Sequence, residues 1–524
     1  MDQSDLRAWE ARCIQDEPPH CQAACPIHVD VRTFMAKMAA GDFNAAWTVL
    51  TRTMPLPHTL CHICDHPCET RCLRNQAGES LAIHLLEKSC IALCDQRMRP
   101  SLIRSKDKKI AVIGSSLDGL TVAWDLSRKG YSVTLLHADM PETFLTAQLG
   151  TALPPEALAT DIALLKQTSV LFSTQDTLPL GSLTKGHLET LLAEFDGVYL
   201  SMGTPHLEIL PQWIREQANP LTLAGPLDGL YTGGWADPFS PIQAIADGRK
   251  AAASLDRYAS KVSLTALRDK EGPQSTRLYT SLTGVEDALR IPVSSECYLP
   301  DEAAAEASRC LQCQCLECVK ICPYLEHFKG YPKTYARQIH NNAAIVKGLH
   351  LSNPLINSCS LCGLCEEVCP ENFSMANLCL SARQDMVTTG KMPLSAHDFA
   401  LQDMEFSNSD HFAMVRNQPG HATSRYLFFP GCQICSSRPG HTRAVYAHLC
   451  ASLDGGVALM LGCCGAPATW AGRTDLTEAC TQNLHRTWED RGRPTIILAC
   501  SSCMAEFKAA LPDIPVVSLW TILD

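Results

Sequence analysis

The sequence predicts a multidomain protein of the α/β and α classes, in which helical cysteine-rich segments flank an α/β segment. Its length of 524 residues is enough for three to five domains, each with its own core. Hydrophobic residues make up 46% and charged residues 19%, as in ordinary globular proteins. The 28 cysteines fall into three bands, with none between residues 95 and 296. This banding favours ligand clusters over scattered buried thiols.

Charge and hydropathy exclude several classes of protein. The net charge of −11 argues against nucleic acid as a partner, because phosphate binding needs a basic surface. No uncharged apolar run approaches the length of a membrane span, so we expect no direct span. The N-terminus has neither a basic start nor an apolar core, which is unlike a signal peptide. We therefore expect a cytoplasmic protein whose clustered cysteines are metal ligands or redox groups rather than disulfides.

The N-terminal band contains seven cysteines at ligand-like spacing. Residues 31–50 have helical apolar spacing, and Asp65-His66-Pro67 interrupts the second of two cysteine runs. Thiolates spaced in this way can converge on one iron–sulfur cube, which takes four ligands. The pattern predicts a helical iron–sulfur domain. The two runs are Cys13-x7-Cys21-x3-Cys25-Pro26 and Cys61-x2-Cys64-x3-Cys68-x3-Cys72.

These motifs, together with Arg12-Cys13 and Leu86-Glu87, resemble the N-terminal iron–sulfur domain of the glutamate synthase small subunit and dihydropyrimidine dehydrogenase. The resemblance implies two [4Fe-4S] clusters. It implies that one cluster is held by Cys13, Asp16, Cys21 and Cys72. It implies that the other is held by Cys25, Cys64, Cys68 and Glu87.

One ligand position departs from that family, which has cysteine where this chain has Asp16. A carboxylate is a harder ligand than a thiolate. We therefore expect the cluster at Asp16 to be the least certain of the four cubane clusters. It would be labile, have a shifted reduction potential or contain only three irons. We expect Cys61, Cys90 and Cys94 to be buried thiols, with ligation as the alternative.

The cysteine-free segment begins with a β-α-β unit. Residues 109–113 form an apolar run before Gly114, residues 120–128 are amphipathic, and residues 131–136 predict a second strand. The unit resembles the flavin domain that follows the iron–sulfur domain in the same family. Residues 195–203 and 229–249 resemble later elements of that domain. The prediction is a truncated Rossmann-like domain.

The glycine motif of this unit is degenerate. Gly114 and Gly119 remain as candidate flavin-binding residues, but the middle glycine, which would let backbone approach a diphosphate, is Ser116. Asp118 adds a negative charge beside it. The loss of these contacts favours a scaffold without FAD, and a retained flavin site is the alternative.

Two later positions and the length of the domain agree with that interpretation. His137 stands where an acid would hold the ribose, and Trp235 stands where the family has an aspartate. Only 115 residues separate Gly119 from Gly234, too few for the NAD(P)H domain that the family inserts there. We expect no NAD(P)H site.

The second band predicts a helical, dicluster ferredoxin-like domain. Its downstream run is the bacterial ferredoxin pattern, in which three close cysteines bind one cube and the fourth, before proline, binds the partner cluster. The upstream run lacks a cysteine at Gln312, so Cys310 or Cys313 would substitute. Structural zinc is the competing hypothesis, but two runs ending in Cys-Pro favour clusters. The runs are Cys310-x2-Cys313-x-Cys315-x2-Cys318-x3-Cys322-Pro323 and Cys359-x2-Cys362-x2-Cys365-x3-Cys369-Pro370.

This crossed pattern assigns two ligand sets. Cys315, Cys318 and Cys369 would bind one cluster with Cys310 or Cys313. The other cluster would be bound by Cys322, Cys359, Cys362 and Cys365. We expect Cys297 and Cys379 to be core thiols.

The third band lies in an α/β pattern. Strands are predicted over residues 426–429, 457–461, 495–499 and 516–519, with helices over 441–453, 476–491 and 505–510. Five cysteines follow the first three strands, so they should meet at the carboxyl edge of one sheet. These are Cys432, Cys463, Cys464, Cys500 and Cys503.

The spacing Cys432-x30-Cys463-Cys464-x35-Cys500-x2-Cys503 resembles the CCG domain of heterodisulfide reductase catalytic subunits and of a related subunit in membrane redox complexes of sulfate reducers. The resemblance implies a noncubane [4Fe-4S] cluster at which a disulfide is cleaved, with these five cysteines as catalytic and metal-binding residues. Zinc is the alternative cofactor. The chain has one such motif, where those reductases usually have two, so either a partner would complete the site or the site would only transfer electrons.

Together the bands predict an iron–sulfur electron-transfer subunit of a heterodisulfide-reductase-like oxidoreductase. Electrons would pass through four cubane clusters to or from the CCG site, which acts on a disulfide or thiol substrate. The alternatives are a non-catalytic relay and docking subunit of a larger redox complex, and a flavin enzyme of the glutamate synthase type. Any contact with a membrane would come through a partner subunit. The predicted domains cover residues 1–100, 101–296, 297–420 and 421–524.

Overall fold

The computed structural model describes residues 2–95, 103–137, 139–174, 184–201, 212–234 and 238–524. Two units emerge from the pattern of contacts between residues. Residues 16–315 form what we call the Rossmann unit, and residues 1–15 with 316–524 form the CCG unit. The predicted Trp235 lies outside the described residues.

The N-terminal cysteines lie among short helices, because prolines and tight turns divide the segment. The predicted helical stretch 31–50 is two helices, separated at Gly41, whose φ is 70°. Pro57 and Pro67 each start a helix after a residue in the left-handed region, Leu56 or His66. The helices are α1 (Gln3–Arg12), α2 (His20–Ala24), α3 (Val31–Ala39), α4 (Phe43–Thr53), α5 (Pro57–Ile63), α6 (Pro67–Thr70) and α7 (Ile83–Leu93), with 3-10 turns at Ile14–Asp16 and Leu73–Gln76.

A parallel sheet follows in the Rossmann unit. Its described strands run in the order β3-β2-β1-β4-β5, which is the order of a doubly wound nucleotide-binding half. Residues 110–113 of the first strand pair with 133–136 on one side and 197–200 on the other. The strands are β1 (Lys109–Ile113), β2 (Ser132–His137), β3 (Val170–Thr174), β4 (Gly197–Ser201) and β5 (Leu230–Gly233).

Helices cover both faces of this sheet. Close crossing of α8 and α13 needs Gly248, because a Cβ there would lie 2.5 Å from the carbonyl oxygen of Asp118. The last helix of the unit, α14, packs against α3 and α7 and so ends beside the N-terminal cysteines. The helices are α8 (Leu117–Ser127), α9 (Pro141–Leu149), α10 (Pro155–Leu165), α11 (Lys185–Glu194), α12 (Gln212–Gln217), α13 (Pro241–Ala259) and α14 (Pro300–Ser308), with a 3-10 turn at Gly150–Ala152.

The first helix of the chain belongs to the CCG unit. It packs against α17, where Arg337 forms an ion pair with Glu10, and Trp9 lies 5.2 Å from the ring of Phe373. The helices of the ferredoxin-like segment are α15 (Glu317–Ile321), α16 (Pro323–Phe328), α17 (Pro332–Ala344), α18 (Asn353–Ser358), α19 (Leu364–Glu367), α20 (Met375–Thr388) and α21 (Asp398–Ser407).

The C-terminal sheet has the described strand order β10-β9-β7-β8-β6. The strands are parallel except the short edge strand β6, which runs antiparallel to β8. The strands are β6 (Met414–Arg416), β7 (Tyr426–Phe429), β8 (Val457–Leu461), β9 (Thr495–Leu498) and β10 (Val516–Ser518). The helices are α22 (Cys432–Ser437), α23 (Pro439–Ser452), α24 (Ala466–Ala471), α25 (Thr474–Asp490), α26 (Ser501–Ala510) and α27 (Leu519–Leu523).

The predicted combination of α/β and helical segments is confirmed. None of the described helices has both the length and the apolar character needed to cross a bilayer. The domain boundaries drawn from the sequence stay predictions.

Candidate metal centres

One group of candidate ligands in the Rossmann unit contains a buried carboxylate. Glu87 is 4% exposed, and its Oε2 atom has no hydrogen-bond partner among the residues that the structure describes. Burial raises the pKa of Glu87 to about 8. Burial also raises the pKa of the Cys68 thiol, and Glu87, Cys25 and Cys64 lie close enough to raise it further. The structure therefore brings together the four residues that the resemblance assigned to one cluster.

A second group in the same unit differs from the expected ligand set. Cys21, Cys72, Cys310 and Cys313 line one small cavity, and we call this group the four-cysteine site. Burial, followed by repulsion from the other three thiols, raises the pKa of the Cys21 thiol. Asp16, which was expected to bind the same cluster as Cys21, is an exposed residue.

Cys13 belongs to the CCG unit and contacts its ferredoxin-like core, as do Cys318 and Cys369. Burial raises the pKa of the Cys13 thiol, and the Cys369 thiol contributes to the same shift. Cys315, the last residue of the Rossmann unit, is half-buried. Its predicted ligand role stays a prediction.

The second ferredoxin-like group also gathers in the CCG unit. Cys322 and Cys359 both contribute to the raised pKa of Cys365, after burial. Cys362, the fourth predicted member, is exposed. Cys379 is a fully buried core thiol, as expected, and it donates a hydrogen bond that lowers the pKa of Cys359 to about 6.

The five cysteines of the CCG motif line one cavity of about 240 Å³. Cys432 follows β7, the Cys463-Cys464 pair follows β8, and Cys500 and Cys503 follow β9, so parallel strands deliver all five to the same sheet edge. The Sγ atoms of Cys432 and Cys463 are 3.6 Å apart. We call this cavity the CCG site.

Hydrogen bonds divide these five sulfurs into donors and acceptors. A bond from Cys503 lowers the pKa of Cys500 to about 5, and the backbone N–H groups of Ser502 and Cys503 act in the same direction. Contacts with the Cys463 and Cys503 thiols lower the pKa of Cys464, and the single proton of Cys503 is donated to either Cys464 or Cys500 at any one time. Thiolates are the form in which cysteine ligates metals and attacks disulfides, so the site contains two sulfurs prepared for either role.

The turn after β1 does not fit a flavin diphosphate. Asp118 is completely buried, and its carboxylate accepts hydrogen bonds from Tyr199 and Ser201, each 2.8 Å long, and from Ser116. A Cβ at Gly234 would lie 2.7 Å from the Asp118 carboxyl group. A side chain of the protein thus fills the place where a dinucleotide-binding turn would leave room for phosphate.

No group of three or more His, Cys, Asp and Glu side chains in the described ranges is arranged to hold a metal ion. An iron–sulfur cluster requires a wider arrangement than an ion, because the iron–sulfur core stands between its ligands. The thiol-rich groups described above fit that chemistry in donor type and number.

Three segments of the chain match models of known domain families. Residues 2–98 match the dihydropyrimidine dehydrogenase domain II with its 4Fe-4S cluster, residues 309–374 match a 4Fe-4S dicluster domain, and residues 426–508 match the CCG cysteine-rich domain. The predicted resemblances are confirmed. The chain contains iron–sulfur and cysteine-rich domains that occur in oxidoreductases.

Curated relatives match part of the chain. The beta subunit of NADPH-Fe(3+) oxidoreductase from Geobacter sulfurreducens is 28% identical over 204 residues, 37% of this chain and 29% of that protein. The glutamate synthase [NADPH] small chain of Halomonas elongata is 27% identical over 208 residues, 38% and 43% of the two chains. A subunit of the fumarate reductase (CoM/CoB) of Methanothermobacter marburgensis is 25% identical over 226 residues, again 38% and 43%. Each match therefore spans less than half of the relative.

The sequence did not predict three features of these sites. Nothing in the spacing indicated that Cys310 and Cys313 would join Cys21, because the turn between them depends on a left-handed residue, Gln312, with a φ of 48°. The contact of Cys379 with Cys359 also had no local signal. Trp470, which lines the CCG site, lies on α24, a helix that the strand-and-helix pattern did not predict.

Proposed function

We propose that this protein is an iron–sulfur electron-transfer subunit whose CCG site reduces or forms a disulfide or a related sulfur bond. The observation that carries the proposal is the convergence of five cysteines on one cavity at the carboxyl edge of the C-terminal sheet. A structural zinc site and an ordinary cube each need only four ligands, so five thiolates favour the noncubane cluster that the CCG resemblance implies. The matches to two 4Fe-4S domain families support a role in electron transfer.

The chain's own residues prepare the site for sulfur chemistry. Apolar side chains, among them Phe399, Pro467 and Trp470, line the cavity beside the cysteines. This apolar lining favours the binding of an uncharged disulfide over the retention of water in the cavity. Cys432 and Cys500 are partly exposed, while Cys463, Cys464 and Cys503 are buried, so a substrate would approach the sulfurs of Cys432 and Cys500.

The proposed reaction balances with two electrons. Reduction of a disulfide RSSR′ breaks its S–S bond, consumes two electrons and two protons, and releases RSH and R′SH. A cluster bound at the CCG site would supply the electrons one at a time. Contacts with neighbouring thiols lower the pKa of Cys464 and of Cys500, which favours the thiolate form in which cysteine binds a cluster.

The test is turnover of a small disulfide by anaerobically purified protein, with reduced benzyl viologen as donor. We expect Cys464→Ala to abolish thiol release and Cys450→Ala, a change on helix α23, to leave it unchanged. If the wild-type protein oxidises viologen only in the presence of a second electron acceptor and releases no thiol, the disulfide role is wrong.

A relay and docking subunit of a larger redox complex is the second candidate. The filled turn at Asp118 favours it, because the Rossmann-like fold is kept without room for a flavin diphosphate. We propose that this domain binds no FAD and serves as a scaffold. A flavin absorbance band in the purified or FAD-reconstituted protein would contradict this part of the proposal.

A further inference from the structure

We propose that Cys21, Cys72, Cys310 and Cys313 together hold one iron–sulfur cluster, which joins the N-terminal helices to the segment after α14. This ligand set replaces the combination of Cys13, Asp16, Cys21 and Cys72 expected from the sequence. The inference rests on the proposed function only in taking the bound group to be a cluster.

The geometry of the four-cysteine site supports this assignment. All four cysteines line the same cavity, together with buried apolar residues such as Val31 and Leu81. Each of the four is half-buried, as expected for thiols that face an enclosed group.

The loop that carries Cys310 and Cys313 is held firmly against the N-terminal helices. Arg32 donates a hydrogen bond of 3.1 Å to the carbonyl oxygen of Cys313, and Gln312 donates one of 3.2 Å to the carbonyl oxygen of Arg32. The left-handed conformation of Gln312 reverses the chain between the two cysteines, so that both face the same cavity.

Helix α14 anchors the start of that loop. Its Glu306 is completely buried and accepts hydrogen bonds of 2.9 Å from the backbone N–H groups of Ala82 and Ile291. Arg309, directly before Cys310, donates to Glu306 and to the carbonyl oxygens of Glu79 and Ala288. These contacts hold the residue before Cys310 against residues 79–82, which follow Cys72 in the chain.

The revised ligand set also explains the position of Cys13. That residue lies in the CCG unit and contacts the core around Cys369, where the crossed ferredoxin pattern lacks a cysteine at Gln312. Cys310 and Cys313 thus serve the Rossmann unit, and Cys13 supplies a thiol to the CCG unit. Four thiolates are also a better donor set for iron than three thiolates and the carboxylate of Asp16.

Iron counting in double variants tests the ligand set directly. Single Cys→Ala changes at positions 13, 21 and 310 should each remove about four irons and four sulfides per chain. The double variant Cys21→Ala/Cys310→Ala should lose the same four or so, because both residues serve one cluster. The double variant Cys13→Ala/Cys21→Ala should lose about eight, because these residues serve two clusters. Cys297→Ala is the matched control and should lose none.

The opposite pattern overturns the inference. If the Cys21/Cys310 pair loses about eight irons and the Cys13/Cys21 pair about four, the ligand set predicted from the sequence is correct. The iron content of Asp16→Ala is a further test, because this exposed residue can be changed in a chain that should fold normally. We expect full iron content, and loss of one cluster would contradict the proposal. Iron content does not depend on thiol turnover, so failure of the disulfide role and failure of this ligand set are distinguishable.

Discussion

At the scale of single residues, Glu87 and Asp118 are both enclosed acidic side chains, but their surroundings are opposite. Both carboxyl oxygens of Asp118 accept hydrogen bonds from protein hydroxyls, whereas Oε2 of Glu87 lies among thiols and has no partner in the described part of the chain. A satisfied carboxylate is structural, and an unsatisfied one beside candidate ligands is prepared to bind a cation.

Substitution of Glu87 separates ligation from packing. We expect Glu87→Ala to lose about four irons, because three thiolates remain at that cluster. Glu87→Gln should keep the cluster through its amide oxygen and raise its reduction potential, because one negative charge is removed. Iron and sulfide analysis with a potentiometric titration would check both results. Full, stable iron content in Glu87→Ala would show that Glu87 is not a ligand.

The sequence could identify most candidate ligands but could not pair all of them. Cysteines that directly follow parallel strands, such as Cys463 and Cys500, meet at the carboxyl edge of the sheet. Their meeting can therefore be predicted from the sequence near each strand. Cys21 and Cys310 are 289 positions apart in the sequence. Their meeting depends on helix packing and on the conformation of Gln312, neither of which has a sequence signature.

At the scale of elements, strong periodic segments were predicted well and short ones were not. The strands over residues 426–429 and 457–461 have the predicted bounds, and the helix predicted over 441–453 is Pro439–Ser452. The edge strand β6 has three residues and α24 has six, too few for a periodic pattern to be detected. Yet α24 carries Trp470 to the CCG site, so part of the lining of that cavity comes from an element without a sequence signal.

Arg383 on α20 links that short helix to the ferredoxin-like segment. Its buried guanidinium donates to the carbonyl oxygens of Ile356 and Cys359, at 3.0 and 2.6 Å, and of Trp470, at 2.7 Å. Arg383→Met should destabilise the CCG unit by about 3 kcal/mol, because three carbonyl oxygens lose a charged donor.

Denaturant unfolding of the anaerobic protein would measure this loss. The matched control is Arg443→Met on the exposed face of α23, which should change stability by less than about 0.5 kcal/mol. Arg383→Lys should recover part of the loss, since an ammonium keeps the charge but lacks the planar fork that reaches several carbonyls. Equal stability of the Arg383 and Arg443 variants would show that the link is unimportant.

At the scale of the whole molecule, the arrangement of thiols predicts a specific content of iron, sulfide and zinc. The Rossmann unit brings together two groups of four candidate ligands, and the CCG unit contains ferredoxin-like cysteines and the five sulfurs of the CCG site. If every group holds a four-iron cluster, the anaerobically purified protein contains about twenty irons, about as many acid-labile sulfides and no zinc. We expect this result, because five thiolates exceed the four that a structural zinc accepts.

The decisive comparison is between the wild-type protein and Cys464→Ala. Removal of a CCG thiolate should lower the iron content by about four and leave the other clusters in place, because no other group shares that sulfur. About sixteen irons and one zinc in the wild-type protein, with the zinc lost in Cys464→Ala, would instead make the CCG site structural. The protein would then conduct electrons without cleaving a disulfide, as the relay hypothesis requires.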